Sequence, residues 1–202
     1  MLGVLGGGQL GRMTALAAAR LGYRTHIYTP EAEPPAADVA WRTTRAAYED
    51  EAALRAFGQS VDAVTVEFEN VPEAALRALA LETPTRPGAE ALAVAQDRLV
   101  EKRFLQGVGF QTAPFRAVDG PEDIRAALGE LGTPIVVKTR RFGYDGKGQV
   151  KVASGVEAEA AWEALGRAPA IAEGFIDFAR EISVIAARDV DGRVVCYPAV
   201  EN

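Results

Sequence analysis

The opening of the sequence limits the possible folds most, because an apolar run leads directly into a glycine-rich turn and a helical pattern. Leu2–Leu5 is apolar, three glycines follow at positions 6–8, and apolar residues then recur at helical spacing over residues 9–21. Gly22 is well suited to end a helix, and residues 24–28 are predicted to form the next strand. A strand, a helix and a second strand in this order predict a parallel βαβ unit with a right-handed crossover.

The residues that follow continue this α/β pattern. We predict a helix over residues 48–57, a β-branched strand over 61–68 and a helix over 73–81. Two nearby prolines mark the end of this unit. We therefore place a Rossmann-like parallel-sheet domain at residues 1–86.

A second unit has a different order of elements. A long helical pattern at residues 90–107 lies within a connecting segment, 87–113, and a small α+β domain is predicted over 114–177. Its predicted elements are a strand near residue 114, strands at 135–138, 149–152 and 170–173, and helices at 122–131 and 157–165.

The final stretch predicts a long β-hairpin. Apolar runs at residues 180–187 and 194–200 flank a turn at Asp191-Gly192. We assign residues 178–202 to the beginning of a further lobe, because such a hairpin is not stable alone in water. We therefore expect the chain to be a fragment of a longer protein.

Composition excludes several classes of function. The net charge of −6 and the pI near 5.0 argue against nucleic-acid and membrane-surface partners. The single cysteine, Cys196, cannot form an internal disulfide, and its apolar neighbours predict a small buried side chain. The single histidine, His26, is predicted to be a packed strand residue, and its count excludes two-histidine metal sites within the chain. The sequence shows neither a membrane-length apolar run nor a signal-peptide pattern, so we expect a cytoplasmic protein.

The first glycine-rich turn predicts a phosphate site. Gly6, Gly8 and Gly11 form a G-x-G-x-x-G pattern between a strand and a helix, and free N–H groups at the start of a helix attract phosphate. A dinucleotide oxidoreductase carries an acidic residue at the tip of the second strand, whereas this strand ends at Thr29 and Glu31 lies beyond a proline. A mononucleotide or sugar-phosphate site fits better than NAD, and a turn without a ligand is a third alternative.

The second glycine-rich segment follows a strand that ends in Lys138. Three glycines lie within residues 143–148, and another strand follows, so the segment is not a P-loop, which leads into a helix. It could fold over a triphosphate as a lid, with Lys138 and Lys147 as charges for the phosphates, or it could be a solvated basic hairpin. Glu173 and Glu181 could accept hydrogen bonds from a ribose or an adenine, or be ordinary surface charges.

Together these features resemble the ATP-grasp superfamily of ligases and, within it, the N5-carboxyaminoimidazole ribonucleotide synthetase family. The resemblance spans the chain. The matching segments are GGGQLGRM at 6–13, TVEFENVP at 65–72, QDR at 96–98, GYDGKGQ at 143–149, and Tyr197-Pro198 through Glu201-Asn202. The implied fold is an α/β ATP-grasp fold, with a Rossmann-like N-terminal domain, a small α+β lid domain and the beginning of a C-terminal ATP-grasp lobe.

The resemblance also implies site residues. The implied ATP-binding residues are Arg98, Lys138, Gly143, Tyr144, Asp145, Gly146, Lys147, Gly148, Gln149, Glu173, Gly174, Phe175, Ile176 and Glu181. The implied substrate-binding residues are Gly8, Gln9, Leu10, Glu67, Tyr144 and Asp145. In this scheme Arg98 and Lys138 contact the ATP phosphates, residues 173–176 form the adenine-binding hinge, and Glu67 holds ribose hydroxyls. No metal ligand is implied within the chain.

The implied activity is ATP-dependent carboxylation of 5-aminoimidazole ribonucleotide by bicarbonate, through carboxyphosphate, in purine biosynthesis. ATP and Mg²⁺ are the implied cofactors, with the magnesium ligands beyond Asn202, and the full-length family is implied to be homodimeric. The 202-residue chain alone is therefore expected to have negligible ligase activity. The alternatives are another ATP-grasp ligase, such as a formate-dependent glycinamide ribonucleotide transformylase, and, in a different class, an NAD-dependent Rossmann oxidoreductase.

Overall fold

The first part of the chain forms a four-stranded parallel sheet, as the opening pattern predicts. The structure, a computed structural model, describes residues 1–143 and 147–202. The strands are β1 (Leu2–Leu5), β2 (Thr25–Thr29), β3 (Arg42–Arg45) and β4 (Ala63–Val66). They lie in the order β3-β2-β1-β4, and each neighbouring pair is parallel. The carboxyl ends of β1, β2 and β4 therefore meet at one edge of the sheet.

Helices cover both faces of this sheet. They are α1 (Gln9–Arg20), α2 (Glu51–Gly58) and α3 (Glu73–Ala80), and a short 3-10 turn spans Pro35–Asp38. Leu5 and Tyr28 bury their side chains with α2 and α3 on one face. Val4 and Ile27, one residue earlier in each strand, pack with Ala36 of the 3-10 turn on the other face. This alternation is the strand period of two, and it makes the layer doubly wound.

Strand β3 is not predicted by the sequence pattern. Its four residues, Arg-Thr-Thr-Arg, contain no apolar side chain, and the strand lies at the edge of the sheet. An edge strand needs less burial than a central one, so its hydrogen bonds to β2 define it without an apolar signal.

His26 is a packed strand residue, as predicted. Its side chain is 1% exposed, and both ring nitrogens are paired, Nδ1 with Ser60 Oγ and Nε2 with Thr44 Oγ1, each at 2.8 Å. The ring also meets the edge of Phe57 at 4.7 Å between centroids. His26 therefore contributes to the core of the first sheet.

The second part of the chain forms an antiparallel sheet covered by helices on one face. The elements are β5 (Phe115–Val118), α6 (Pro121–Leu131), β6 (Ile135–Thr139), β7 (Gln149–Val152), α7 (Ala158–Ala164) and β8 (Ala170–Gly174). The strand order is β5-β8-β6-β7, which confirms the predicted α+β unit. Ile135 and Val137 are buried against α6 and α7. Val136 and Lys138 alternate with them and face the opposite side, which carries the candidate ATP site.

The prediction of one helix over residues 90–107 is wrong. Two helices occupy this segment, α4 (Ala89–Ala95) and α5 (Arg98–Gly107). Asp97 has extended backbone angles, φ −127° and ψ 110°, and its carboxylate accepts hydrogen bonds from Leu99 N and Val100 N. The aspartate thus caps a new helix, and an apolar pattern of helical spacing does not reveal such a break.

The predicted terminal hairpin is confirmed, with a short irregularity in its ladder. Its strands are β9 (Ile182–Ser183), β10 (Ala186–Arg188), β11 (Val194–Cys196) and β12 (Val200–Glu201), with β10 paired to β11 and β9 to β12. Gly192, at the turn, has φ +84°.

The prediction that Cys196 is buried is wrong. Cys196 is exposed, and Val194 and Val195 beside it are 47% and 57% exposed. The apolar run is present, but within the described residues neither the cysteine nor these valines are covered by another element. Among the described residues, no helix is long and apolar enough to cross a membrane.

Candidate active site

The first predicted site lies where β1 turns into α1. Gly6 has φ +105°, a conformation that favours glycine. Glu67 follows β4, and its backbone N–H donates to Leu5 O at 2.9 Å, which brings it to the same edge of the sheet. Its two carboxylate oxygens accept hydrogen bonds from Gly8 N at 3.0 Å and Gly11 N at 2.7 Å. Gly8 and Glu67, both predicted to bind substrate, are therefore hydrogen-bonded to each other.

The closeness of Glu67 explains the glycine pattern. A Cβ atom at Gly8 would lie 2.6 Å from one carboxylate oxygen of Glu67, and a Cβ atom at Gly11 would lie 2.3 Å from the other. Either side chain would displace the carboxylate. The G-x-G-x-x-G turn therefore holds a carboxylate of the protein itself, which the sequence pattern does not reveal.

The environment of Glu67 favours a neutral hydrogen-bonding ligand. Burial raises the pKa of Glu67; the N–H groups of Gly11 and Gly8 act in the opposite direction, and the charge of Glu31 adds to the rise. Burial also raises the pKa of the neighbouring Tyr48, and the Glu67 and Glu31 charges raise it further. A hydroxyl donor is a better partner for such a carboxylate than a second anion.

Gln9 and Leu10 follow the glycine turn at the start of α1. Both are exposed in the first turn of α1, where backbone N–H groups have no acceptor within the helix. A cavity of about 510 Å³ adjoins this helix start. Arg12 lines it and is fixed by hydrogen bonds of 2.8 Å to Pro35 O and to the carboxylate of Asp38.

The second predicted site contains an ion pair at its centre. Lys138 Nζ lies 3.1 Å from Glu173 Oε2 on the face of the sheet opposite α6 and α7. Val136 is the cross-strand partner of Glu173, so Lys138, two residues further along β6, is its diagonal neighbour. The pair is largely buried, with side-chain exposures of 26% for Lys138 and 10% for Glu173.

Sequence reasoning missed Lys102, which completes this cluster. Lys102 lies on α5, and its Nζ is 3.4 Å from the same Glu173 oxygen. It follows Arg98 by four residues, so both side chains share one face of the helix, and this spacing could have identified it. Two ammonium groups around one carboxylate leave an excess positive charge, which suits a phosphate ligand.

Arg98 fixes the start of the glycine-rich loop. Its guanidinium donates to Thr139 O and Gly143 O, each at 2.7 Å. A Cβ atom at Gly143 would lie 2.7 Å from the guanidinium, so only glycine fits there without a shift. The prediction that Arg98 contacts ATP phosphates stays a prediction.

Backbone hydrogen bonds join the two strands at the base of the glycine-rich loop. Thr139 N donates to Gly148 O at 2.8 Å, and Gln149, the first residue of β7, pairs with Lys138. Gly148 has φ +70°, and Lys147 before it is exposed. Three residues of the predicted site, Tyr144, Asp145 and Gly146, lie outside the described residues.

The predicted adenine hinge follows β8. Gly174 donates its N–H to Pro114 O at 2.8 Å, and Phe175 and Ile176 are 45% and 50% exposed. Glu181 directly precedes the first strand of the terminal hairpin, and its carboxylate accepts a hydrogen bond from Asn202 Nδ2 at 3.2 Å. Within the described contacts, the structure groups Lys138 with Glu173 and does not bring Glu181 to them.

Candidate metal ligands in the described residues are acidic, histidine and cysteine side chains. Across residues 1–143 and 147–202, no group of three or more His, Cys, Asp or Glu side chains is arranged to hold a metal ion.

Two family models match the chain and together account for nearly its whole length. Residues 1–96 match the ribonucleotide synthetase preATP-grasp domain, and residues 103–202 match the ATP-grasp domain. The chain therefore belongs to the ATP-grasp superfamily. More narrowly, it is similar to an N5-carboxyaminoimidazole ribonucleotide synthase from Brucella melitensis, with 52% identity over 203 residues that cover 100% of this chain and 56% of that protein. The chain spans about half the length of the curated relatives it matches.

Solved structures confirm the predicted fold class. An N5-carboxyaminoimidazole ribonucleotide synthetase from Thermus thermophilus matches with a TM-score of 0.89 and 47% identity, covering 100% of this chain and 54% of its own. A synthase from Aspergillus clavatus, solved in complex with ADP and 5-aminoimidazole ribonucleotide, matches with a TM-score of 0.88 and 30% identity, covering 99% of this chain and 52% of its own.

Proposed function

We propose that this chain forms the ribonucleotide-binding domain and part of the ATP site of an ATP-dependent ligase that carboxylates 5-aminoimidazole ribonucleotide with bicarbonate. The observation that carries the proposal is the cluster of Lys138, Lys102 and Glu173 beside the base of a glycine-rich loop. Positioning and charge neutralisation are the main requirements of phosphoryl transfer, and this cluster offers both to a triphosphate.

The first site fits a sugar phosphate. Gln9 and Leu10 offer N–H groups at a helix start for the phosphate, and Glu67 offers a fixed carboxylate for ribose hydroxyls. Thr29, at the tip of β2, is buried, and Glu31, which lies beyond Pro30, contacts Thr29 Oγ1 through its backbone N–H at 3.3 Å. The tip of β2 itself thus carries no carboxylate of the kind that holds an NAD ribose, which disfavours the oxidoreductase alternative.

The proposed reaction has two steps. A bicarbonate oxygen attacks the γ-phosphorus of ATP, ADP leaves, and carboxyphosphate forms. The exocyclic amine nitrogen then attacks the carboxyl carbon, a proton leaves the nitrogen, and inorganic phosphate departs. In this scheme Arg98, Lys102 and Lys138 offset the phosphate charge, and the loop over residues 143–149 covers it.

The proposal extends to features of the whole protein. It includes the division into a substrate domain at 1–86, a connecting segment at 87–113, a lid domain at 114–177 and the start of a C-terminal lobe at 178–202. It also includes MgATP as the nucleotide, with magnesium ligands outside this chain, a homodimeric assembly and a cytoplasmic location. The division is supported by the two separate sheets.

Steady-state ATP hydrolysis by the intact protein tests the proposal. We expect turnover that requires both 5-aminoimidazole ribonucleotide and bicarbonate. Glycinamide ribonucleotide with formate should not replace them, and NADH should not bind in a fluorescence titration. Turnover with the glycinamide substrate would support a transformylase instead.

Two neighbouring residues of α5 provide a matched pair for the ATP site. Lys102→Met should raise the KM for ATP about tenfold or more, since a hydrogen bond to a charged group contributes about 1.5–3 kcal/mol. Arg103→Met removes a charge from the next, exposed residue and should leave the KM within about twofold. Equal effects of both substitutions would contradict the assignment of Lys102.

A further inference from the structure

A short polar segment joins the two sites. Residues 96–98, here called the junction segment, run from the end of α4 to the first residue of α5. Gln96 and Asp97 in this segment are only 6% and 8% exposed. Buried polar side chains are stable only when their hydrogen bonds are made, so their partners fix the position of the segment.

Gln96 of the junction segment contacts the backbone of the proposed ribonucleotide site. Gln96 Nε2 donates to Glu69 O and to Val71 O, both at 2.6 Å. Glu69 follows Glu67 by two residues, so Gln96 grips the backbone immediately after the carboxylate proposed to bind ribose. A movement of Glu67 on ligand binding would therefore change the hydrogen bond between Gln96 and Glu69.

Gln96 and Asp97 also contact the base of the glycine-rich loop, which belongs to the proposed ATP site. Gln96 Oε1 accepts a hydrogen bond from Arg141 at 2.7 Å, and the Asp97 carboxylate accepts from Arg140 at 2.7–3.1 Å through three contacts. Arg98 N donates to Arg140 O at 3.0 Å. The base of the glycine-rich loop is thereby tied to the junction segment by side chains and by backbone.

We infer that Gln96 is a positioning residue that couples occupancy of the ribonucleotide site to the placement of Arg140 and Arg141, at the base of the glycine-rich loop. The inference rests on the proposed function. The amide nitrogen of Gln96 donates two hydrogen bonds on the ribonucleotide side, and its oxygen accepts one on the loop side. All three hydrogen bonds can form together only when the two sides are placed as they are in this structure. A ligand that stabilises this arrangement at one site must favour binding at the other, and the coupling is reciprocal.

Isothermal titration of the intact protein measures this coupling. Affinity for a non-hydrolysable ATP analogue is determined with and without saturating 5-aminoimidazole ribonucleotide. We expect the ribonucleotide to tighten analogue binding in the wild type about 5–150-fold, the usual range of coupling between sites. In Gln96→Met, which keeps the length of the side chain, the ratio should fall to about twofold or less, while each ligand alone binds nearly as in the wild type.

Controls separate coupling from loss of structure. Gln59→Met makes the same change at a glutamine whose side-chain amide donates to Glu82 on the surface of the first sheet's helices, and the coupling should be unchanged. Arg141→Met breaks the Gln96 link from an exposed residue and should reduce the coupling even where Gln96→Met does not fold.

The outcomes distinguish the inference from the proposed function. Full coupling in both Gln96→Met and Arg141→Met overturns the inference, as does a wild-type protein that binds both ligands independently. A wild-type protein that does not bind the ribonucleotide at all overturns the proposed function instead.

Discussion

His26 illustrates how buried polar side chains in this protein depend on complete hydrogen bonding. Its ring is 1% exposed and both nitrogens have hydroxyl partners at 2.8 Å. Burial, with a smaller effect from the charge of Arg42, lowers the pKa of His26 from 6.5 to about 4. The folded protein therefore carries a neutral imidazole at pH values where the unfolded chain carries a charged one.

We predict that this histidine makes stability fall on mild acidification. Because its folded pKa is depressed, the contribution is complete above about pH 6.5 and is lost as the pH falls through about 4. The loss amounts to about 3 kcal/mol, at 1.36 kcal/mol for each pKa unit. Urea unfolding of the wild type at several pH values between 4 and 7.5 measures the free energy of unfolding.

His26→Gln isolates this contribution, because the carboxylates titrate equally in both proteins. The variant should be less stable at pH 7.5, since it loses the contact with Phe57 and one hydroxyl partner. Its deficit should shrink as the pH approaches 4. A deficit that is constant over this range would refute the assignment.

The helices and strands show which parts of the fold a sequence can predict. The βαβ opening has a strong apolar period and a glycine turn, and it was predicted correctly. The break between α4 and α5 was not, because Asp97 acts through its cap and through Arg140, 43 residues away in the chain. The spacing of apolar residues indicates which face of a helix is buried, and it contains no information about a hydrogen-bond partner that is distant in the sequence.

We predict that Asp97 stabilises the protein more than an ordinary cap. Asp97→Ala removes the cap of α5 and leaves Arg140 without its carboxylate, and should cost about 2–4 kcal/mol. Asp50→Ala removes the exposed cap of α2, where Ala53 N is the partner, and should cost about 1 kcal/mol. Chemical unfolding of the two variants gives both values, and equal costs would show that the Arg140 pair adds nothing.

Two glycines in helices should respond in opposite directions to the same substitution. Gly11→Ala in α1 places a Cβ atom 2.3 Å from Glu67 and 2.9 Å from Gly6 O, and should destabilise the protein and weaken ribonucleotide binding. Gly129→Ala in α6 meets nothing within 4 Å and should stabilise it by about 0.5–1 kcal/mol. Thermal unfolding compares them, and a stable Gly11→Ala variant would show that Glu67 can move away without loss.

Across the molecule, the sequence predicts the site residues that lie at the ends of strands. It does not predict the contacts between elements that are distant in the sequence. Lys138 and Glu173 were identified because each ends a strand, and the structure pairs them at 3.1 Å. Lys102 and the pairing of Glu67 with the glycine turn were missed, because they arise from elements that meet only in three dimensions. The roles of Arg98 and Glu181 come from the resemblance alone; in the structure Arg98 donates to Thr139 O and Gly143 O, and Glu181 accepts from Asn202 Nδ2.

We predict that residues 1–202 alone do not hydrolyse ATP in response to ribonucleotide and bicarbonate, whereas the intact protein does. Ile185 and Tyr197 in the terminal hairpin are 66% and 71% exposed. A two-stranded hairpin without cover is marginally stable. This chain covers 56% of the Brucella melitensis relative, and we propose that the remaining part of such a protein covers the hairpin.

Hydrogen exchange distinguishes an uncovered hairpin from a chain that is unfolded throughout. In residues 1–202 the amides of β10 and β11 should exchange rapidly, while those of β1 and β2 stay protected, because the parallel sheet has its own core. In the intact protein β10 and β11 should become protected as well. Substrate-dependent turnover by residues 1–202, or equal protection of β10 and β11 in both proteins, would show that the chain needs no such cover.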